Sequence, residues 1–180
     1  MKCARPLLNL VAISATALLL LNPATGYGRG VYQHSDAFVH EVFAGKPPKA
    51  EILWLTDELQ ADITKILDHP YKARRIRYWG VAGKTVWILD EIGKEEPITT
   101  GIVITSGKIT LVKILEYRET RGDEVRHGFF TDQFKDAGLT PATELDRRID
   151  GISGATLSVN ALTKLTRMAL YLHRRSPFGI

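Results

Sequence analysis

The chain has 180 residues, of which 44% are hydrophobic and 24% are charged. This length suits one domain with a buried core, and the ordinary globular composition excludes a disordered or fibrous chain. The net charge of +4 does not indicate a nucleic-acid-binding protein, because the short basic clusters have no aromatic residues interleaved with them.

The first predicted segment is an N-terminal signal. Lys2 and Arg5 precede an apolar run from Leu7 to Leu21, and small residues follow as far as Gly28. This order is typical of a secretory signal peptide, and the run is shorter than the roughly twenty residues that span a bilayer. We therefore expect residues 1–28 to be cleaved from a periplasmic or otherwise extracytoplasmic protein. An uncleaved N-terminal anchor is the alternative.

Cysteine and histidine usage excludes several kinds of site. Cys3 is the only cysteine and lies within the predicted signal, so its removal leaves no thiol for a disulfide, a metal site or a nucleophile. No two of the five histidines have i, i+3 or i, i+4 spacing, which leaves a metal cluster unsupported. We expect no metal site.

The segment after the signal is predicted to lead into the domain. The stretch from Gly28 to Lys49 has mixed composition, and its Lys46-Pro47-Pro48 run interrupts regular structure. From Ala50 to Leu67 apolar residues recur at helical spacing, with a first turn at Thr56 to Glu58. We assign residues 29–70 to a lead-in segment and a helix.

Two predicted hairpins follow. Arg74 to Trp79 and Thr85 to Ile92 flank a longer, glycine-containing turn, whereas Ile98 to Thr105 and Lys108 to Tyr117 are joined at Ser106-Gly107. All four runs are rich in the β-branched residues that favour strands. Alternation along the last strand predicts one shared face made by Ile109, Leu111, Lys113 and Leu115.

The C-terminal third of the chain is predicted to be helical. Phe129 to Gly138 indicates a short helix, with Phe130 and Phe134 packed inward. Thr156 to about His173 carries one apolar stripe and indicates a long last helix, with cationic residues (Arg167, His173, Arg174 and Arg175) towards its C-terminal end. The order helix, hairpin, hairpin, short helix, long helix predicts an α+β domain whose mainly antiparallel sheet is flanked by helices.

The stretch Asp150-Gly151-Ile152-Ser153-Gly154-Ala155-Thr156 directly precedes the long helix. A loop that leads into a helix N-terminus offers unpaired N–H groups and a favourable dipole to a phosphate, and Ser153 and Thr156 add hydroxyls. The same residues also suit an ordinary helix start, with Ser153 or Thr156 as the N-cap. Local composition alone favours the ordinary start.

The pattern Asp-x-x-Ser/Thr-Gly-Ala-Thr in this stretch resembles the flavinylation motif of the FMN-binding domain family. This family includes the C subunit of the sodium-translocating NADH:quinone reductase and the G subunit of the Rnf complex. A flavin transferase takes FMN from FAD in that family and joins its phosphate to the final Thr as a phosphoester. The resemblance implies an FMN-binding domain over residues 71–180 with Thr156 as the covalent acceptor. It places the surrounding motif positions at the cofactor: Asp150, Gly151, Ser153, Gly154 and Ala155.

A second resemblance lies in Glu119-Thr120-Arg121-Gly122. Read without the family, this is a polar strand end and turn. The family commonly has a Glu-Thr-Pro-Gly loop beside the flavin ring, so the resemblance implies that Glu119 and Thr120 also bind the cofactor. Arg121 stands where Pro is usual, and an arginine beside a flavin would stabilise the anionic reduced ring.

Taken together, the resemblance implies an electron-transfer flavoprotein, a carrier or complex subunit rather than a stand-alone enzyme. It would pass electrons between a membrane haem or iron–sulfur partner and periplasmic partners, after maturation by a flavin transferase. A redox-sensing or assembly module of a membrane complex is the alternative. A reductase with its own substrate is a third interpretation, but the chain has no NAD fingerprint and no second cofactor motif. We expect no nucleic-acid partner and assign no catalytic residue.

Overall fold

A six-stranded antiparallel sheet is the centre of the structure, a computed structural model that describes residues 29–179. The predicted signal, residues 1–28, lies outside the described residues. The strands are β1 (Gly30–Val31), β2 (Glu51–Trp54), β3 (Arg75–Val81), β4 (Lys84–Ile92), β5 (Pro97–Thr105) and β6 (Lys108–Tyr117). The α-helices are α1 (Ser35–Val42), α2 (Asp57–Leu67), α3 (Gly128–Thr131) and α4 (Thr156–Arg175). The strand order β1-β6-β5-β4-β3-β2 and the flanking helices confirm the predicted α+β class.

Both hairpins form around two-residue turns. Ser106-Gly107 joins β5 to β6 as predicted, with φ of 49° and 74°, and Ala82-Gly83 joins β3 to β4 with φ of 48° and 75°. Positive φ at both central residues matches the twist of the flanking strands. The longer turn predicted at Gly80 to Lys84 was wrong, because β3 continues through Gly80. A Cβ atom at Gly80 would lie 2.3 Å from the ring of Phe178, so this glycine provides space for packing.

The faces of β6 differ from simple alternation. The β5–β6 pairing shifts register between Thr99 and Thr100 and again between Val103 and Ile104. Each shift moves the following side chains to the opposite face of the sheet. Ile109 therefore packs in the main core, whereas Leu111 and Leu115 contact the smaller cluster on the other face. The prediction that Ile109 shares a face with Leu111, Lys113 and Leu115 was wrong.

Residues 29–70 contain more regular structure than the sequence predicts. The helix α1 buries Phe38 and Val39 against the sheet, and a Cβ atom at Gly101 of β5 would lie 2.4 Å from the Phe38 ring. Residues 51–54, where the sequence shows helical spacing, instead form the strand β2, which pairs with β3. The predicted helix itself is confirmed as α2, which begins after Thr56, whose Oγ1 accepts the N–H of Leu59 at 3.3 Å.

The main core lies between the sheet and the long helix α4. The stripe predicted on α4 is buried in full: Val159, Leu162, Leu165, Ala169 and Leu172. Phe130 and Phe134 also pack inward as predicted, edge to face at 5.5 Å. The predicted short helix is confirmed in shorter form, as α3 followed by a 3-10 turn at Asp132–Phe134. In the part of the chain from residue 29 to 179, no helix is both long enough and apolar enough to cross a membrane.

Candidate functional site

A cleft of about 570 Å³ opens where three loops meet. Lys94 and Glu95 of the β4–β5 connection form one wall, residues 119–121 after β6 form the second, and residues 154–158 at the start of α4 form the third. The two motifs that are separate in the sequence therefore line one cavity. Its volume lies in the range of roughly 300–1,000 Å³ that is usual for small-molecule and cofactor sites.

The start of α4 leaves backbone donors at the cleft. Ala155 precedes the helix with φ −116° and ψ 19°, and within the described chain no side chain caps it. The first α-helical hydrogen bond runs from Val159 N to Ala155 O at 2.9 Å, so the N–H groups of residues 156–158 have no acceptor within the helix. The alternative interpretation, in which Ser153 or Thr156 caps the helix, was wrong.

Thr156 is the first residue of α4 and is exposed on the cleft wall. Its hydroxyl makes no hydrogen bond with any residue that the structure describes. Two later threonines of the same helix differ, because Thr163 and Thr166 donate to carbonyl oxygens of the helix at 2.9 Å. The Thr156 hydroxyl is therefore available to a ligand.

Gly154 shapes the approach to α4. Its φ of +85° is rarely adopted by other residues, and an added Cβ atom would meet no atom within 4 Å. The glycine is thus required for the backbone turn, and the space beside it stays open. Ala155 N donates to Ile152 O at 3.0 Å and closes this turn.

The second wall is tied to the helix by a buried tyrosine. Tyr117, the last residue of β6, donates its hydroxyl to Arg121 O at 2.6 Å and lies 2.8 Å from Ser158 Oγ. Burial is the main cause that raises the pKa of Tyr117 to about 12, so this hydroxyl keeps its proton. Gly122 has φ +84°, and a Cβ atom there would lie 3.0 Å from the Tyr117 oxygen and 3.1 Å from Ser158 Oγ. The loop therefore packs directly on the first turn of α4.

Glu119 lies in the second wall of the cleft and holds the first wall in place through hydrogen bonds. Its buried Oε1 atom accepts the N–H groups of Lys94, Glu95 at 2.6 Å and Glu96 at 3.0 Å. Burial by itself raises the pKa of Glu119, but these hydrogen bonds and the Lys94 charge together lower the pKa below its usual value. Glu119 is therefore an anion that fixes the β4–β5 connection. Its Oε1 atom already accepts three hydrogen bonds from that connection.

The structure brings five of the eight predicted cofactor residues to the cleft: Glu119, Thr120, Gly154, Ala155 and Thr156. The other three lie on the exposed approach to α4. The backbone N–H of Asp150 donates to Gln133 Oε1 at 2.7 Å, and its carboxylate lies 3.8 Å from Arg148 Nε. Gly151 and Ser153 are exposed and do not line the cleft.

Sequence reasoning missed five residues that build the site, among them Leu157, which lines the cleft directly after Thr156. Lys94 and Glu95 were given no role, although the run Gly93 to Glu96 has the polar composition of a turn between strands. Tyr117 was assigned only to its strand. Ser158 lies two positions after Thr156, but its partner Tyr117 is 41 residues away, and no local pattern in one sequence indicates that pairing.

The cleft has the donors that a flavin phosphate requires. The free N–H groups of α4 and the side chain of Arg121 suit an anion, and the hydroxyls of Thr120 and Thr156 add further donors. Leu157, 49% exposed, provides apolar surface for a ring. These residues fit a group that combines a phosphate with a planar aromatic system.

Comparison with models of protein families finds a match in the C-terminal part of the chain. Residues 93–171 match the model of the FMN-binding domain, and this stretch contains all three walls of the cleft. No curated protein and no solved structure matches the chain. The match supports FMN as the cofactor of a flavoprotein and confirms the resemblance stated from the motif. Over residues 93–171 the chain is therefore similar to the FMN-binding domain family.

Proposed function

We propose that this protein is an electron-transfer flavoprotein that carries FMN as a phosphoester on Thr156. One observation carries the proposal: the exposed and unbonded Thr156 hydroxyl lies at the start of α4 in a cleft shared with residues 119–121. When bound, the flavin supplies reversible one- and two-electron chemistry. The chain's own residues hold its phosphate, position its ring and limit its contact with water.

Attachment would replace one phosphate bond by another. The Thr156 oxygen forms a bond to the flavin phosphorus of FAD, the bond from that phosphorus to AMP breaks, and the hydroxyl proton is released. The free N–H groups in the first turn of α4 stabilise the negative charge of the phosphate. No residue of the cleft needs to act as a base if the flavin transferase supplies that group.

The exposed motif residues suit recognition by the transferase. Asp150, Gly151 and Ser153 lie beside the cleft without lining it. A second protein can contact these residues while Thr156 projects into its active site. This arrangement explains why a flavinylation motif extends beyond the residues that the flavin itself would touch.

The proposed location is extracytoplasmic and rests on the predicted signal at residues 1–28. Covalent attachment suits an exported protein, because a reversibly bound flavin would be lost by dilution outside the cytoplasm. The proposed redox partners are a membrane haem or iron–sulfur protein and a periplasmic protein. Half-exposed Leu157 at the cleft gives such a partner an apolar contact close to the flavin.

Intact mass spectrometry tests the attachment. The protein should gain the mass of FMN less one water when it is produced with a flavin transferase, and Thr156→Ala should show no gain. Thr110→Ala is the matched control, since Thr110 is an exposed threonine of β6 outside the cleft and its loss should leave the gain intact. No gain in the wild-type protein, or a full gain in Thr156→Ala, would contradict the proposal.

Stopped-flow spectroscopy tests the carrier role. The chemically reduced, flavin-loaded protein should be reoxidised within seconds by membranes of the source cell under anaerobic conditions, and slowly by the buffer alone. Flavin that binds but exchanges no electrons with membranes would instead support the sensing or assembly module. Turnover with a soluble acceptor would support a reductase.

A further inference from the structure

Arg121 differs from the other charged residues of the cleft. Lys94 pairs with Glu95 at 3.2 Å, and Glu119 accepts three backbone N–H groups. The exposed Arg121 side chain makes no hydrogen bond or ion pair with any residue between 29 and 179. A guanidinium without a partner, on the wall of a binding cleft, is free to bind an anionic ligand.

The backbone of Arg121 is held beside the start of α4. Its carbonyl oxygen accepts the Tyr117 hydroxyl at 2.6 Å. The next residue, Gly122, packs so closely that an added Cβ atom would lie 3.1 Å from Ser158 Oγ and 3.3 Å from Ala155 Cβ. Because this anchor is fixed, the long Arg121 side chain can reach an anion that is bound at Thr156.

The charge of the cleft also depends on Arg121. Lys94 and Arg121 balance Glu95 and Glu119, so the charged lining residues sum to zero. Without Arg121 the sum is negative and would oppose a phosphate. A bidentate arginine adds hydrogen bonds as well as charge, which a proline in this position cannot supply.

We propose that Arg121 binds the phosphate of the flavin and makes the cleft selective for FMN over the unphosphorylated flavin, riboflavin. The inference rests on the proposed function only in that the cleft binds a flavin, and it does not require the covalent bond to Thr156. Arg121 would hold the phosphate before attachment and neutralise the phosphoester afterwards.

Equilibrium binding to the protein produced without a flavin transferase tests this role. FMN and riboflavin are titrated separately, with flavin fluorescence or calorimetry as the readout, at low and at moderate salt. The wild-type protein should bind FMN more tightly than riboflavin. Arg121→Gln should weaken FMN binding by about tenfold or more, as expected for loss of a charged hydrogen-bonded pair, and should leave riboflavin binding unchanged.

Two further variants sharpen the result. Arg121→Lys keeps the charge but loses the planar guanidinium that can donate two hydrogen bonds. Its FMN affinity should lie between those of the wild type and Arg121→Gln. Arg77→Gln removes the same charge from an exposed position on β3, outside the cleft, and should change neither affinity. The difference between FMN and riboflavin should also shrink as salt is raised.

Each contrary result has a distinct meaning. Equal weakening of FMN and riboflavin in Arg121→Gln would overturn phosphate recognition and indicate a contact with the ring. Unchanged FMN binding in Arg121→Gln, with the wild type binding FMN, would overturn this inference alone. A wild-type protein that binds neither flavin and gains no FMN mass with a transferase would overturn the proposed function as well.

Discussion

Tyr117 and Ser158 share a buried hydrogen bond of 2.8 Å that joins the end of β6 to the first turn of α4. The same tyrosine hydroxyl donates to Arg121 O at 2.6 Å. One side chain thus sets the distance between the loop after β6 and the helix start, the two segments that carry the family motifs. The geometry of the cleft depends on this pair although neither residue belongs to a motif.

Tyr117→Phe should therefore destabilise the protein and weaken flavin binding. The change leaves Arg121 O and Ser158 Oγ without their buried partner, which costs about 1–3 kcal/mol of unfolding free energy. Chemical denaturation measures the loss, and FMN titration measures the effect on the cleft. Tyr78→Phe is the control, because the buried Tyr78 hydroxyl has no hydrogen bond within the described residues. An equal loss in both variants would show that the Tyr117 hydrogen bonds are not responsible.

Glu119→Gln should loosen the first wall of the cleft. The amide keeps an acceptor oxygen but loses the charge that strengthens three hydrogen bonds from residues 94–96. Hydrogen exchange of these backbone N–H groups should accelerate by roughly tenfold, the ratio that corresponds to about 1.4 kcal/mol. Glu95→Gln, on the exposed side of the same connection, should leave exchange unchanged. Unaltered protection in Glu119→Gln would contradict this role.

The lowered pKa of Glu119 also predicts a pH dependence. In the unfolded chain Glu119 becomes protonated near pH 4.5, whereas in the folded protein it becomes protonated only at a lower pH. The contribution of ionised Glu119 to the unfolding free energy is therefore present above about pH 4.5 and is lost as pH falls through the lower folded pKa. Denaturation midpoints measured from pH 6 to pH 3 should fall less steeply for Glu119→Gln than for the wild type.

Local patterns predicted the parts of the fold that depend on local chemistry. The hairpin around Ser106-Gly107 follows from β-branched strands and a turn that needs positive φ, and α4 follows from its apolar period. The motif before α4 was found because every defined position matched. Glu119 was predicted from a second loop, which matches the family at three of four positions, and the structure brings it to the same cleft as Thr156.

Features that depend on distant partners were missed. The eight-residue α1 is held by Phe38 packing against Gly101, which lies 63 positions later in the chain. The strand β2 exists because β3 pairs with it. Sheet bulges shift the faces of β6 without any change in composition. His173 was grouped with the cationic residues near the end of α4, but it is buried, and burial lowers its pKa.

Gly101→Ala tests the packing of α1 on the sheet. A Cβ atom at this position would lie 2.4 Å from the Phe38 ring, so the ring or the helix must move. Overpacking of this kind typically costs about 1–3 kcal/mol of unfolding free energy. Gly151→Ala is the control, because a Cβ atom there meets nothing within 4 Å and its stability should change little. Equal stability of the two variants would contradict the close packing of α1.

The last prediction concerns His173 at the far end of α4. Its ring is fully buried, its Nδ1 lies 2.8 Å from Thr85 Oγ1, and Trp87 Nε1 donates to that same oxygen at 2.8 Å. Its Nε2 has no partner among the described residues. A protonated ring would bury a charge with an unpaired N–H group. Burial, and then the charge of Arg174, therefore lower the pKa of His173 below its usual 6.5.

This environment makes the protein sensitive to acid. Below pH 6.5 the unfolded chain binds a proton at His173 while the folded protein does not, so the stabilisation present above that pH is lost as pH falls towards the folded pKa. His173→Gln should make the unfolding free energy depend less steeply on pH between pH 7 and pH 5, even if the variant is less stable at every pH. His127→Gln, which changes an exposed histidine, should retain the wild-type slope. A steep slope that persists in His173→Gln would assign the acid sensitivity to another group.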